Sequence, residues 1–281
     1  MHKTTRPFTL LLATMALTAS QAWAAAIQVS GVQKYIGGPY TAVPNSGVSS
    51  NYAAGGATGG SFAVFDVQKD GRDFADLRVT YNGGAGTNIM VARTSNSQGL
   101  TDNGTITILM DYATNSGYKG SFQFDWFTPG SFTGGIQYGS SLISDAILYT
   151  TFDIDYYQFV ATKTNQLQYY AFNTNTLLHA DVTEAPGFIR FEDNNANSLF
   201  SEPRTAAQFL TKSGTASHQI DMGKQTTGGA SLFMFEFRDP SLVLRDTGFN
   251  PVPVAIPEPT TASFVVLFAG IGFLIRRRFV D

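Results

Sequence analysis

The 281-residue chain contains no cysteine. No disulfide can staple it, and a cysteine-ligated zinc site is excluded. Histidine is almost as scarce, with three in all, and only His179 and His218 lie beyond the N-terminal segment. No His-Glu-x-x-His arrangement exists, so both histidines are expected as surface or strand residues rather than metal ligands or bases. There is no Gly-x-Ser-x-Gly elbow for a hydrolase nucleophile, and no Gly-Lys-Ser or Gly-Lys-Thr loop to cradle phosphate. Charge is thin too, at 14% of residues, with 18 basic and 21 acidic side chains. Setting aside Lys3, Arg6, Arg276, Arg277, Arg278, Glu258 and Asp281 at the two ends leaves a central part of about −6. That balance excludes a nucleic-acid partner, because no cationic surface is available to displace counterions. It would also repel an anionic polysaccharide unless a cation bridged the two.

Long apolar runs occur only at the ends. His2, Lys3 and Arg6 form a basic start, Phe8 to Ala19 an apolar stretch, and Ala22-Trp23-Ala24 a small-x-small site. This pattern predicts a signal peptide over residues 1–24, removed by signal peptidase after Ala24. At the other end, Pro257-Glu258-Pro259 precedes an uncharged run from Ala262 to Ile275, followed by Arg276, Arg277 and Arg278. The two prolines hold an extended elbow, since each fixes φ and lacks an N–H. The run would span roughly 21 Å as a helix at 1.5 Å per residue. The hydrocarbon core is ~30 Å thick, and Thr260, Thr261 and snorkelling arginines narrow the gap. The arginines belong on the cytoplasmic side, which puts everything before them outside.

This tail resembles the PEP-CTERM sorting signal of Gram-negative bacteria that make exopolysaccharide. The resemblance covers residues 254–281 only, with the membrane segment at 260–275 and the basic tail at 276–278. It implies an exosortase as processing partner, cutting at Pro257–Pro259. It also implies a precursor held transiently in the inner membrane, then a protein at the cell surface or in the extracellular matrix.

Residues 25–253 remain as the extracytoplasmic part, roughly 230 residues, enough to bury a core. Aromatic residues make up 13% of the chain and there are 28 glycines, which suits packed sheets joined by tight turns. In Ser121–Phe127 the side chains of Phe122, Phe124 and Trp126 alternate with Gln123 and Asp125; in Ser231–Arg238, Phe233, Phe235 and Phe237 alternate with Met234 and Glu236. Such period-two runs predict strands. Others are expected at Ser61–Val67, Ala75–Tyr81, Asn88–Arg93, Thr105–Tyr112, Ile147–Phe152, Tyr156–Thr162, Leu167–Phe172, Gly187–Phe191 and His218–Met222. Ile27–Gln33 is expected as an edge strand, Gly37 to Gly60 as a long loop, and Pro203–Leu210 as one short helix. The expected fold is all-β: a β-sandwich, jelly-roll-like, with that single helix.

Three acidic stretches point to calcium, which takes six to eight oxygen ligands. Asp66, Asp70, Asp73 and Asp76 surround an Asp-Gly turn and loosely resemble calcium loops of the FG-GAP and dockerin kind. Val67 and Lys69 interrupt the alternation of those loops, and an ordinary Asp-Gly hairpin is the competing reading. Asp153 and Asp155 would share one face of a strand about 7 Å apart, where like charges repel unless a cation or turn relieves them. Glu192, Asp193 and Asn195 lie in an oxygen-rich loop that would meet them at one end of a sandwich, with two ordinary solvated loops as the competing reading. Trp126 and Tyr157 are candidates for stacking on sugar rings if exposed, with burial in the core as the alternative. Acidic pairs suited to glycan cleavage cannot be singled out among 19 acids. The expectation is therefore a non-enzymatic, structural or adhesive protein associated with exopolysaccharide and biofilm. The alternatives are a calcium-dependent, lectin-like carbohydrate-binding module and, third, a glycan-cleaving enzyme.

Overall fold

The computed structural model describes residues 26–36, 41–44, 51–54, 60, 62–84, 88–93, 105–111, 118–134, 136–143, 145–182, 186–193, 203–225, 231–238 and 249–254. The expected signal peptide, the Pro257–Pro259 elbow, the membrane segment 260–275 and Arg276–Arg278 lie outside the described residues. Among the described residues, no helix is long and apolar enough to cross a membrane.

Nineteen strands are present among the described residues. In the first half they are β1 (Ala26–Ile36), β2 (Thr41–Pro44), β3 (Asn51–Ala54), β4 (Phe62–Lys69), β5 (Arg72–Gly84), β6 (Asn88–Arg93), β7 (Ile106–Asp111), β8 (Tyr118–Phe127), β9 (Phe132–Thr133) and β10 (Ile136–Gln137). In the second half they are β11 (Leu148–Phe152), β12 (Gln158–Lys163), β13 (Leu167–Asn173), β14 (Leu178–Asp181), β15 (Phe188–Asp193), β16 (Ala207–Thr211), β17 (Ser217–Lys224), β18 (Ser231–Arg238) and β19 (Phe249–Pro253). All but the small β9–β10 pair belong to one antiparallel hydrogen-bonded network.

That network makes two layers. The first runs β14-β15-β12-β17-β8-β5-β4-β1. The second runs β19-β13-β16-β11-β18-β7-β6-β3-β2. They join at a corner where Ile27 of β1 pairs with Lys69 of β4 and also with Phe237 of β18. Strands from before and after residues 130–139 neighbour one another in both layers, as β8 with β17 and β7 with β18.

The alternating aromatics explain why the layers close on each other. Phe122, Phe124 and Trp126 of β8, and Phe233, Phe235 and Phe237 of β18, are all fully buried. Their rings meet between the layers: Phe124 lies 5.4 Å from Phe235 and Trp126 lies 5.0 Å from Phe237, centroid to centroid. Tyr149 of β11 stacks on Phe209 of β16 at 4.9 Å and meets Trp126 edge-on at 6.3 Å. Each such side chain removed from water stabilises the fold by about 1.5–3 kcal/mol.

Local chemistry fits the turn between β4 and β5. Lys69 pairs with Arg72, leaving Asp70 and Gly71 as a two-residue loop with φ of 55° and 71°. Positive φ at both positions is the type I′ geometry that matches strand twist, and Asp-Gly is a favoured pair for it.

Several expectations need correction. Pro203–Leu210 is not a helix: Pro203–Thr205 makes one 3-10 turn, and the chain then extends into β16. All five residues of β16 are buried, with β11 on one side and β13 on the other. Two ladders of hydrogen bonds together with that burial override the helical preference of Ala-Ala-Gln-Phe-Leu. β1 is not an edge strand along its whole length, because β18 borders its first two residues. Within the expected loop Gly37–Gly60, β2 and β3 pair as a hairpin.

Candidate functional site

Alternation that sends the aromatics inward sends polar side chains to the outer face of the first layer. There they bond laterally. Asp125 of β8 stands opposite Arg78 of β5 and Ser217 of β17. The Arg78 guanidinium donates to Asp125 Oδ2 at 2.7 and 3.2 Å, and the Ser217 hydroxyl donates to Oδ1 at 2.5 Å. Gln123 donates to the Ser217 oxygen at 2.7 Å. One step along, Gln219 donates to Ser121 at 3.1 Å and to Asp221 at 3.0 Å, and Lys119 pairs with Asp221 at 2.6 Å.

The row continues across β12, β15 and β14. Glu192 forms an ion pair with Arg190 at 2.5 Å and accepts from His179 at 2.6 Å and from the Gln225 amide. The Arg190 guanidinium lies 4.0 Å above the Phe159 ring, a cation–π contact. Asp221 and Glu192 are the buried partners, while Lys119 and His179 reach outward. The Asp221 side chain is 2% exposed against 56% for Lys119, and Glu192 is 8% exposed against 43% for His179. The result is a hydrogen-bonded polar surface several strands wide, with half-buried amides at Gln123 and Gln219.

The sequence-predicted acids fall elsewhere. Asp66 and Asp76 stand directly opposite each other on β4 and β5. Asp76 is 4% exposed and its Oδ2 accepts the Phe132 N–H at 2.8 Å. Burial pushes its carboxyl above the usual range, with the Phe132 hydrogen bond opposing and the Asp66 charge adding. Asp66, Asp73 and Asp76 line a cleft of about 340 Å³ with Ser30, Gln68 and the Pro129–Phe132 loop. Asp70 is separate, exposed at the tip of its hairpin, as the competing turn reading had it.

Asp153 and Asp155 are not on a strand: β11 ends at Phe152 and β12 begins at Gln158. The link between them is tightly coiled, with φ of 63° at Asp153, 46° at Tyr156 and 63° at Tyr157. Non-glycine residues adopt such angles at a cost, and they cluster at functional sites. Both acids are buried. Desolvation, and next the Asp155 charge, push the Asp153 carboxyl up to about 8. Glu192 faces the outer polar row with its own partners, Asp193 is buried at the end of β15, and Asn195 lies outside the described residues. Among the described residues, no group of three or more His, Asp or Glu is arranged to hold a metal ion.

The aromatic platform needs correction. Trp126 is fully buried in the core and so cannot stack on a sugar. Tyr157 is half-buried, and the neighbouring Tyr156 is exposed with Lys224 5.5 Å above its ring. His218 is 1% exposed, and neither ring nitrogen reaches a hydrogen-bond partner of good geometry. Burial draws its pKa down to about 4, against a weaker upward pull from the Thr215 backbone.

No family model matches the chain. No curated protein matches it either. Seven chains among the solved structures do. One is the N-terminal domain of a Streptococcus gordonii adhesin, at 10% identity and a TM-score of 0.40 over 77% of this chain. This chain spans 59% of that domain. Another is the glucan binding protein C of Streptococcus mutans, also at 10% identity and a TM-score of 0.40. That likeness covers 76% of this chain and 74% of the other.

Proposed function

We propose that this chain is an exported, non-catalytic structural or adhesive protein of the cell surface or extracellular matrix. It is built on a jelly-roll-like sandwich, and its outer polar face meets exopolysaccharide. Signal peptidase would release the N-terminus after Ala24, and an exosortase would process the tail at Pro257–Pro259. The observation that supports the adhesive reading is the lateral hydrogen-bond row of Gln123, Asp125, Ser217, Gln219 and Asp221 on the first layer. Planar amides held in place by neighbours suit the hydroxyl groups of a polysaccharide, because little side-chain entropy is lost on contact.

Co-sedimentation of the exported protein with the exopolysaccharide of the producing cells tests this. Association that falls at least tenfold in the double variant Gln123→Ala, Gln219→Ala is expected. Turnover of an oligosaccharide, or no association at all, would sink the reading. Sorting has its own measurement: the mass of the exported protein is expected to end near Pro257–Pro259, and retention of Arg276–Arg278 would leave a plain membrane anchor.

A further inference from the structure

The coiled link between β11 and β12, with the first residue of β12, buries three oxygen-bearing side chains. Asp153 is 4% exposed, Gln158 5% and Asp155 6%. The Gln158 amide nitrogen donates to Asp155 Oδ1 at 3.3 Å, so its carboxamide lies against Asp155. Its Oε1 has no hydrogen-bond partner. A buried acceptor without a donor is rare and costly, and a metal cation satisfies an oxygen as a donor does.

The backbone holds this corner from three sides. Ile154 N–H bonds the Thr205 carbonyl at 3.1 Å, Gln158 N–H bonds the Asp155 carbonyl at 2.8 Å, and Gln225 N–H bonds the Tyr157 carbonyl at 2.9 Å. Three left-handed residues in five positions persist only where the surroundings over-determine them. The coil therefore keeps two acids two residues apart in a buried place, where like charges repel unless one is protonated or a cation lies between them.

We propose that this corner is a calcium site, with the Asp153 and Asp155 carboxylates and Gln158 Oε1 as its side-chain ligands. The donor set is all oxygen, which disfavours zinc and other metals that prefer nitrogen or sulfur. An irregular coil suits the flexible coordination of calcium better than the near-ideal octahedron that magnesium demands. Water and carbonyl oxygens complete the shell. The site does not depend on the adhesive reading, and its test uses no polysaccharide.

The full chain, stripped with chelator, is titrated with terbium while Tyr156 and Tyr157 are excited, and calcium is then used to displace the terbium. Tyrosine-sensitised emission that calcium quenches is expected, with magnesium at least tenfold weaker as a competitor. Calcium affinity is expected to fall at least tenfold in both Asp153→Asn and Gln158→Leu. Asparagine tolerates positive φ and removes one of two like charges, so Asp153→Asn is expected to melt no lower than the unsubstituted chain in chelator. Loss of calcium binding in that variant is then loss of a ligand and not of the fold. Absence of displacement by calcium, or unchanged affinity in both variants, overturns the proposal.

Discussion

Trp126 of one layer donates its indole N–H to the phenol oxygen of Tyr149 in the other, at 2.6 Å. The two rings cross at 87° and neither is exposed. Burial holds the Tyr149 phenol well above its ordinary pKa, with the Asp125 charge adding a smaller push and the Trp126 bond opposing both. The bond is a polar pin between the layers, satisfying two groups that would be orphaned if either partner were lost. Tyr149→Phe keeps the ring stack on Phe209 but leaves the indole N–H without an acceptor. A loss of about 1–3 kcal/mol in urea unfolding is expected.

His218 makes stability depend on acid. It is buried on β17, with Tyr149 edge-on at 5.5 Å. The unfolded chain takes up a proton near pH 6.5, whereas the folded chain resists until about 4. Between those values the unfolded state binds more protons, so the histidine's contribution is complete above pH 6.5 and is lost as pH falls toward 4. At ~1.4 kcal/mol per pH unit, the loss reaches on the order of 3 kcal/mol. His218→Leu is expected to flatten that part of the stability–pH curve, measured by denaturant midpoints across the range.

The Arg78–Asp125 pair bridges β5 and β8 on the outer face, with side chains 27% and 9% exposed. Arg78→Met keeps much of the side-chain volume and strands a nearly buried carboxylate. Breaking a buried pair by removing one member costs about 3–5 kcal/mol, and the partial exposure of Arg78 lowers the expected loss to about 2 kcal/mol. The double variant Arg78→Met, Asp125→Leu is expected to recover most of it, which a double-mutant cycle would read directly.

Gly84, at the end of β5, has φ of 131°, and a Cβ there would sit 2.2 Å from the Lys119 carbonyl oxygen of β8. Gly84→Ala must push apart two paired backbones and adopt an angle that L side chains avoid. A loss of about 2–3 kcal/mol is expected, visible as a drop in Tm, whereas Gly71→Ala, with open space around it, is expected to lose less.

How far the sequence could be read depended on how local the deciding physics was. Alternation in Ser121–Phe127 and Ser231–Arg238 is a property of neighbouring residues, so the strands and their apolar faces were legible, and β18 has the expected bounds. The Asp70-Gly71 turn was legible for the same reason. Alternation names two faces without saying what covers them, so the same pattern left Trp126 open to a sugar-facing or a core reading. The second layer decided for the core. Pro203–Leu210 misled because helical preference is local, while the two strands that claim β16 come from elsewhere in the chain.

The outer polar row was hidden in plain alternation. Gln123 and Asp125 were recognisable as the polar partners of buried aromatics, but Asp125 takes its partners from 47 and 92 residues away. The sequence by itself determined which stretches extend, which faces are apolar, and the chemistry available at each turn, because those follow from residue identity and period. Only the tertiary structure decided which strands lie side by side, which acid meets which cation, and that Asp153, Asp155 and Gln158 are buried. Sheet pairing joins residues far apart in the chain, and burial exists only once both layers are in place.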